Sequence, residues 1–385
     1  MTVDVAAARK DTVGTDHVVH LDNAGSALVP RPVADAVVAH LRREEQVGGY
    51  RAAAEAAARL ADVHSSLARL IGSSPGEVAV LESGSTAWAT AVSCLPLTAP
   101  RVLLGRTEYW HNVLVLRQLA RRDGLDLVVL DDDEHGQVDV AHLQRELDRG
   151  GAGMVALTHV PMGGAQVQPA AEVGRACRAA GVPFVLDACQ SVGQLPLDVA
   201  ALGCDVLVGT GRKFLRGPRG TAFVHVRREL LDRLGPVLRD RRRSADGEVE
   251  ARWLESWETG VAGRLGLGRA ADYALDLGAD PVRDRVTVLA ETLRDRLAAV
   301  PAVQVHDRGL VRSGTVTFSV RGRAAEQVQA HLAGQGINVS TAPLPPSAAA
   351  HVLDPAARER DVVVRASVHY YNTEEELDRL AAALP

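Results

Sequence analysis

Across the first two thirds of the chain, short apolar runs rich in β-branched residues alternate with stretches of helical period. Strand candidates fall at 78–81, 101–104, 127–130, 154–158, 184–187, 206–209 and 221–226. Helical patterns lie between them at 85–94, 111–121, 140–148, 170–180 and 228–234, and another at 33–45 precedes the block. Continuously apolar strands separated by helices imply βαβ crossovers, because a parallel sheet is covered on both faces. The expected architecture is therefore α/β, with a large domain built on a mostly parallel, seven-stranded sheet.

The pattern changes after about Gly268. A helix at 283–299 leads into short strands at 303–306, 315–320 and 362–367, with helices at 324–332 and 374–383. That is the content of a smaller α+β domain. The string STAPLPP (340–346) is too rich in proline for a helix and reads as an extended loop. A chain of 385 residues exceeds what one core usually encloses. The expected division is a flexible arm at 1–15, a large domain at 16–268 and a small C-terminal domain at 269–385.

Composition narrows the partners. The formal net charge is −5, without a long block of one sign. The one basic cluster, Arg239, Arg241, Arg242 and Arg243, is followed at once by Asp246, Glu248 and Glu250. It reads as a solvated loop, so neither nucleic acid nor a membrane is an expected partner. No run approaches the roughly 20 apolar residues of a bilayer span, and the polar N-terminus lacks a signal peptide's apolar stretch. A cytoplasmic protein is expected. Cys94, Cys177, Cys189 and Cys204 form no CxxC pair, which predicts neither a disulfide framework nor a metal site.

The chemistry concentrates between residues 183 and 226. Asp187 ends one buried strand and Lys213 follows the next, and in doubly wound sheets ligands bind beyond that carboxyl edge. Lys213 lies between Arg212 and Arg216, and nearby cations favour the neutral amine that a Schiff base requires. Taken singly, the Asp is an ordinary turn former and the Lys an ordinary member of a basic loop. Together they match the needs of a pyridinium cofactor. The carboxylate keeps the ring nitrogen protonated, and the amine anchors the ring and shuttles a proton. Upstream, LESGSTAWATAVSCL places Gly84, Ser85 and Thr86 at the start of a helix. Free N–H groups and two hydroxyls there suit a phosphate, or simply cap the helix.

From LDNAGSALVP (21–30) to RASVHYYNTEEELDRL (365–380), the chain resembles the class V aminotransferase family. These are fold-type I enzymes of pyridoxal 5'-phosphate (PLP) and include cysteine desulfurases and related lyases. The resemblance implies that Ser85 and Thr86 hold phosphate, with Thr210 and Arg212 in the further phosphate positions. In EYWHN (108–112) it places Tyr109 on the ring face, where relatives carry histidine. It puts Asp187 on the pyridine nitrogen, Gln190 on the phenolic oxygen and Lys213 in the Schiff base. Arg365 of the RAS motif would grip a substrate α-carboxylate through two parallel N–H bonds, with Asn23 beside it. It also implies a homodimer, since relatives build their sites at a subunit interface.

Three departures qualify the resemblance. Desulfurases carry a nucleophilic cysteine before the RAS arginine, and GINVSTAPLPPSAAAHVLD (336–354) has none. Met162, in THVPMGGAQVQP, stands where many relatives have asparagine. Val261, in SWETGVAG, replaces a threonine that in relatives reaches the neighbouring subunit's phosphate. The segment REEQVGGYRAAAEA (43–56) is similar to a subset that includes carbon–sulfur lyases of ergothioneine assembly and sulfur-tailoring enzymes of lincosamide pathways. Gly48 and Gly49 break its helical pattern and suit a turn presenting Tyr50 and Arg51 to substrate. The alternative is half-buried packing for Tyr50 and a solvated Arg51.

The resulting expectation is a PLP-dependent carbon–sulfur β-lyase that cleaves a cysteine-derived thioether or S-oxide to thiol or sulfenate, pyruvate and ammonia. Tyr50 or His111 would be the acid for the leaving group. The alternative is an aminotransferase or decarboxylating oxidative deaminase of a secondary-metabolite amino acid. A non-catalytic binding module is a third reading, and the presence of both Asp187 and Lys213 argues against it.

Overall fold

The computed structural model describes residues 2–235, 249–344 and 361–384. The basic cluster Arg239, Arg241, Arg242 and Arg243 and the end of the 340–346 string lie outside them.

A short strand, β1 (Val19–His20), precedes seven strands that form the main sheet. These are β2 (Val78–Leu81), β3 (Arg101–Leu104), β4 (Asp126–Val129), β5 (Ala152–Thr158), β6 (Phe184–Asp187), β7 (Val206–Thr210) and β8 (Ala222–Val226). Their order is β2-β8-β7-β6-β5-β3-β4, and β8 alone runs antiparallel to its neighbours. The inner strands are largely apolar and buried because both faces of the sheet are covered, while the edge strand β4 begins at the exposed Asp126. Phe184 and Leu186 of β6 point into one core, with helices Ala57–Leu70, Ala170–Ala180 and Val261–Leu277. Val185 points into the other, under helices Gly84–Cys94 and Trp110–Asp123. The registers bring Thr158 opposite Asp187, and Asp187 opposite Val208, at one edge of the sheet. That edge carries the site.

A second sheet combines β9 (Val303–Val305), β10 (Thr315–Val320), β12 (Ser340–Pro343) and β13 (Val362–Ser367) in the order β12-β13-β10-β9, all antiparallel. It packs with helices Ala279–Ala298, Ala325–Ala333 and Glu374–Ala382 around a third core. β11 (Ile337–Asn338) pairs in parallel with β1.

Two features differ from the sequence expectation. Residues 340–343 form a strand rather than a loop. Because β12 lies at the sheet edge, Pro343 has no neighbour on its outer side to which a missing N–H matters. The N-terminal arm is docked and helical. Asp4 caps helix Val5–Lys10, Ala8 is buried in the third core, and Arg9 donates to Glu376 at 2.7 Å and to the Tyr371 carbonyl at 3.0 Å. These partners lie more than 360 positions away. Gly268, where the sequence pattern changes, lies inside helix Val261–Leu277.

Candidate active site

The carboxyl edge of the main sheet opens into a pocket of about 650 Å³ including its mouth, within the usual range for small-molecule sites. Parallel strands deliver its chemistry. β6 ends at Asp187, β7 leads through Thr210 and Arg212 to Lys213, and the turn after β3 leads to Tyr109. Of the residues selected from sequence, Ser85, Tyr109, Asp187, Gln190, Thr210, Arg212 and Lys213 line this pocket together.

Asp187 is buried, and each of its oxygens accepts one protein hydrogen bond. Cys189 N–H donates to Oδ1 at 2.9 Å and Asn112 Nδ2 to Oδ2 at 2.8 Å. Both bonds fix the orientation of the carboxyl group at the pocket. Lys213 makes no hydrogen bond or ion pair among the described residues. Burial brings its ammonium down to about 8, Arg212 and Arg365 push the same way, and Asp187 opposes them. The neutral amine is thereby reached at a pH closer to neutrality than for an ordinary lysine.

The phosphate end rests on the helix Gly84–Cys94. Ser83 caps it, its hydroxyl accepting the Thr86 N–H at 3.1 Å, so the Gly84 and Ser85 amides remain for an anion. Gly84 has to be glycine, since a Cβ would meet Cys189 Sγ at 2.7 Å. Thr86 is turned aside, its hydroxyl bonded to Ser83 at 2.9 Å, and does not line the pocket. Arg212 Nη1 donates to the Gly25 carbonyl, which anchors it beside the pocket. Gln190 is buried with Nε2 on the Ala24 carbonyl at 3.2 Å, while its Oε1 has no partner among the described residues. An unsatisfied buried amide group, an unpaired amine, a buried Asp and a free helix terminus are the features a pyridine phosphate aldehyde would satisfy. The residues fit PLP.

The substrate-side selection fares less evenly. Arg365 is buried next to the pocket, with Nε donating to Ser340 Oγ and Nη1 to the Met162 carbonyl, both at 3.0 Å, and Nη2 facing Asp22 at 3.4 Å. Two of its five N–H donors are uncommitted, enough for one carboxylate. Met162 lines the pocket. Asn23 is buried and committed elsewhere: its Nδ2 donates to the carbonyls of Ser367 and His20 and its Oδ1 accepts from Tyr371 Oη, so no side-chain N–H remains for substrate. Tyr50 and Arg51 do not line the pocket. Tyr50 is 77% exposed with its ring 6.0 Å from that of Trp257, and Arg51 pairs with Glu55 at 3.3 Å. His111 does not line the pocket either.

Sequence reasoning missed Glu108, Asn112 and Thr158. Glu108 Oε1 accepts from Asn112 Nδ2 at 2.8 Å and from Thr158 Oγ1 at 2.5 Å. Thr158 Oγ1 in turn accepts the Tyr109 N–H at 3.0 Å. The i,i+4 spacing of Glu108 and Asn112 at a helix start was the available signal. Cys189 also reaches the pocket, but burial holds its thiol well above the ordinary range, and Asp187 reinforces this. It is a poor nucleophile. The other three cysteines are buried as well.

Comparison with known proteins agrees with this geometry. The family model described as aminotransferase class-V matches residues 19–380. The cysteine desulfurase of Haloferax volcanii is 27% identical over 402 residues, covering 99% of this chain and 92% of its own. Among solved structures, the apo cysteine desulfurase of Thermococcus onnurineus NA1 superposes with a TM-score of 0.87 at 24% identity, covering 99% and 97% of the two chains. The cystine C-S lyase C-DES, solved with cysteine persulfide, gives 0.82 at 22% identity over 97% and 100%. The structural likenesses speak for the fold.

Proposed function

Because the chain belongs to the class V aminotransferase family, whose members are PLP enzymes, we propose that it is a PLP-dependent carbon–sulfur β-lyase acting on a cysteine-derived thioether or S-oxide. The observation that carries the reading is a pocket joining Asp187 to Lys213 with no competent cysteine nucleophile. The curated relatives named as cysteine desulfurases support a cysteine-type substrate. A persulfide-forming reaction needs a reactive thiol, and the four cysteines of this chain are all buried.

When bound, PLP supplies an electron sink for negative charge at the substrate Cα. Asp187 would keep the ring nitrogen protonated, the Gly84–Ser85 amides with Thr210 and Arg212 would hold the phosphate, and Gln190 the phenolic oxygen. Lys213 would hold the aldehyde carbon, and its Nζ, when free, would take the Cα proton. Arg365 would orient the α-carboxylate, and Met162 offers an apolar wall to the sulfur substituent. The VGGY string supports substrates of the ergothioneine or lincosamide type.

A homodimer in the cytoplasm belongs to the same reading. The exposed Tyr50–Trp257 pair, bordering a groove with Val261, supports a second subunit there. The deciding experiment incubates PLP-loaded protein with S-alkyl cysteine sulfoxides. Stoichiometric pyruvate, lost at least ~10²-fold in Lys213→Ala, is the expected result. Accumulation of pyridoxamine phosphate, or of alanine from cysteine, would overturn it.

A further inference from the structure

Glu108 lies one residue before the ring-stacking candidate, yet nothing in the proposed chemistry uses it. It is 1% exposed, and its two oxygens are unequally served. Oε1 carries two donors, Asn112 Nδ2 and Thr158 Oγ1, while Oε2 is buried without a partner among the described residues. Asn112 Nδ2 has two hydrogens, and they are divided between Glu108 Oε1 and Asp187 Oδ2, each at 2.8 Å. One amide therefore spans two carboxyl groups.

We propose that Glu108 is a positioning residue that carries a proton in the working enzyme and, through the shared Asn112 amide, sets the orientation and charge of Asp187 beneath the cofactor ring. The inference rests on the PLP reading and deepens it. Two carboxylates bridged by one amide repel each other, so the stable arrangement leaves a single negative charge on the pair. Asp187 is the one that keeps it, because each of its oxygens accepts an N–H, whereas Glu108 Oε2 is buried without an acceptor role among the described residues. On Glu108 the Asn112 and Thr158 side-chain donors both fall on Oε1. Burial raises its carboxyl to about 7, the charge on Asp187 adds to the rise, and hydrogen bonding from Asn112, Thr158 and the Tyr109 backbone opposes it.

Asp187 at the end of β6 is the charged group that acts on Glu108; Cys189, Arg212 and Lys213 line the pocket shared by its partners Asn112 and Thr158, and His159 follows Thr158 at the end of β5. Arg106, Tyr109 and His111 lie on the segment of Glu108 itself. His159 is kept neutral by burial, which takes it down to about 4. None of the cations is bonded to Glu108 among the described residues. Ionisation of Glu108 would thus place a second negative charge behind Asp187, and loss of its oxygen would free Asn112 to turn away.

The test separates the proton from its effect on the cofactor. Glu108→Gln preserves shape and both hydrogen bonds but cannot ionise. In apo protein, wild type should lose thermal stability relative to this variant as pH rises from about 5 to about 8, because the unfolded carboxyl ionises first. A stability difference that is flat across that range overturns the protonated Glu108. In PLP-loaded protein, the visible band of wild type should change over the same range while that of Glu108→Gln stays fixed, and Glu108→Ala should release PLP at least tenfold faster. Identical spectra and identical PLP release in all three proteins overturn the coupling to Asp187. Wild type that takes up no PLP overturns the cofactor reading, and the positioning role with it.

Discussion

Lys213 shows how a side chain prepared for chemistry weakens the fold that holds it. Its ammonium is disfavoured in the pocket, with a value near 8 against an ordinary 10.5. Below pH 8 the amine is charged in folded and unfolded chains alike, and the folded state bears the full cost. The cost shrinks as pH rises from 8 toward 10.5, where the unfolded amine also becomes neutral. Lys213→Met should therefore stabilise apo protein at pH 7 by about 1–3 kcal/mol, the lower part of the range reflecting partial solvent access. The gain should fade in denaturant titrations above about pH 10. A destabilised variant at pH 7 would show that Lys213 is paired in a way the pocket does not reveal. Arg365 makes the opposite case. Its charge is buried but carries three acceptors, so Arg365→Lys should raise KM severalfold for carboxylate substrates while changing kcat less, as initial rates would report.

Two local elements connect folding to the pocket. Ser83 belongs to the cap of helix Gly84–Cys94 rather than to the ligand, yet it holds the first turn in the geometry that frees the Gly84 and Ser85 amides. Ser83→Ala should cost about 1 kcal/mol in stability and weaken PLP retention together, measured by thermal melts and dialysis. The turn at Met162 and Gly163 is wedged against the edge strand β12. A Cβ on Gly163 would collide with the Pro343 carbonyl, and the preceding Met162 carbonyl is one of the anchors of Arg365. Gly163→Ala should displace the turn and raise KM for substrate at least fivefold, with PLP affinity unchanged because no cofactor contact lies on β12.

Arg216 links distant parts of the chain around the lysine loop. It is 1% exposed and has the one positive φ outside glycine among the described residues, at 61°. Its guanidinium donates to the Leu28 carbonyl, Tyr370 Oη and Thr12 Oγ1 at 2.6–2.8 Å and lies over the rings of Tyr370 and Tyr371. Among the described residues no carboxylate pairs with it, so hydroxyls, a carbonyl and aromatic faces offset its desolvation. The N-terminal segment, the C-terminal segment and the loop three residues beyond Lys213 thus meet on one side chain. Arg216→Met should lower unfolding free energy by about 2–4 kcal/mol in denaturant titrations and loosen PLP binding. A loss below about 1 kcal/mol would mean that relief of charge burial cancels the broken bonds.

The linear chain already specified the sheet. The apolar runs of β2, β3, β6 and β10 match the strands residue for residue, because a strand buried on both faces leaves a continuous hydrophobic signal that needs no partner to be read. It also specified Asp187 and Lys213 as a pair, since strand ends in a parallel sheet converge on one edge whatever the loops do. Other features depend on neighbours far along the chain. β12 looked like a loop because the pairing that makes it a strand comes from β13. The arm docks because Glu376 and the Tyr371 carbonyl receive Arg9. Asn23 is consumed by Tyr371, and Glu108 acquires its character only when Thr158 and Asp187 close around it. Hydrogen bonding and desolvation are set by the whole surroundings of a group, and those surroundings exist only once the chain has folded.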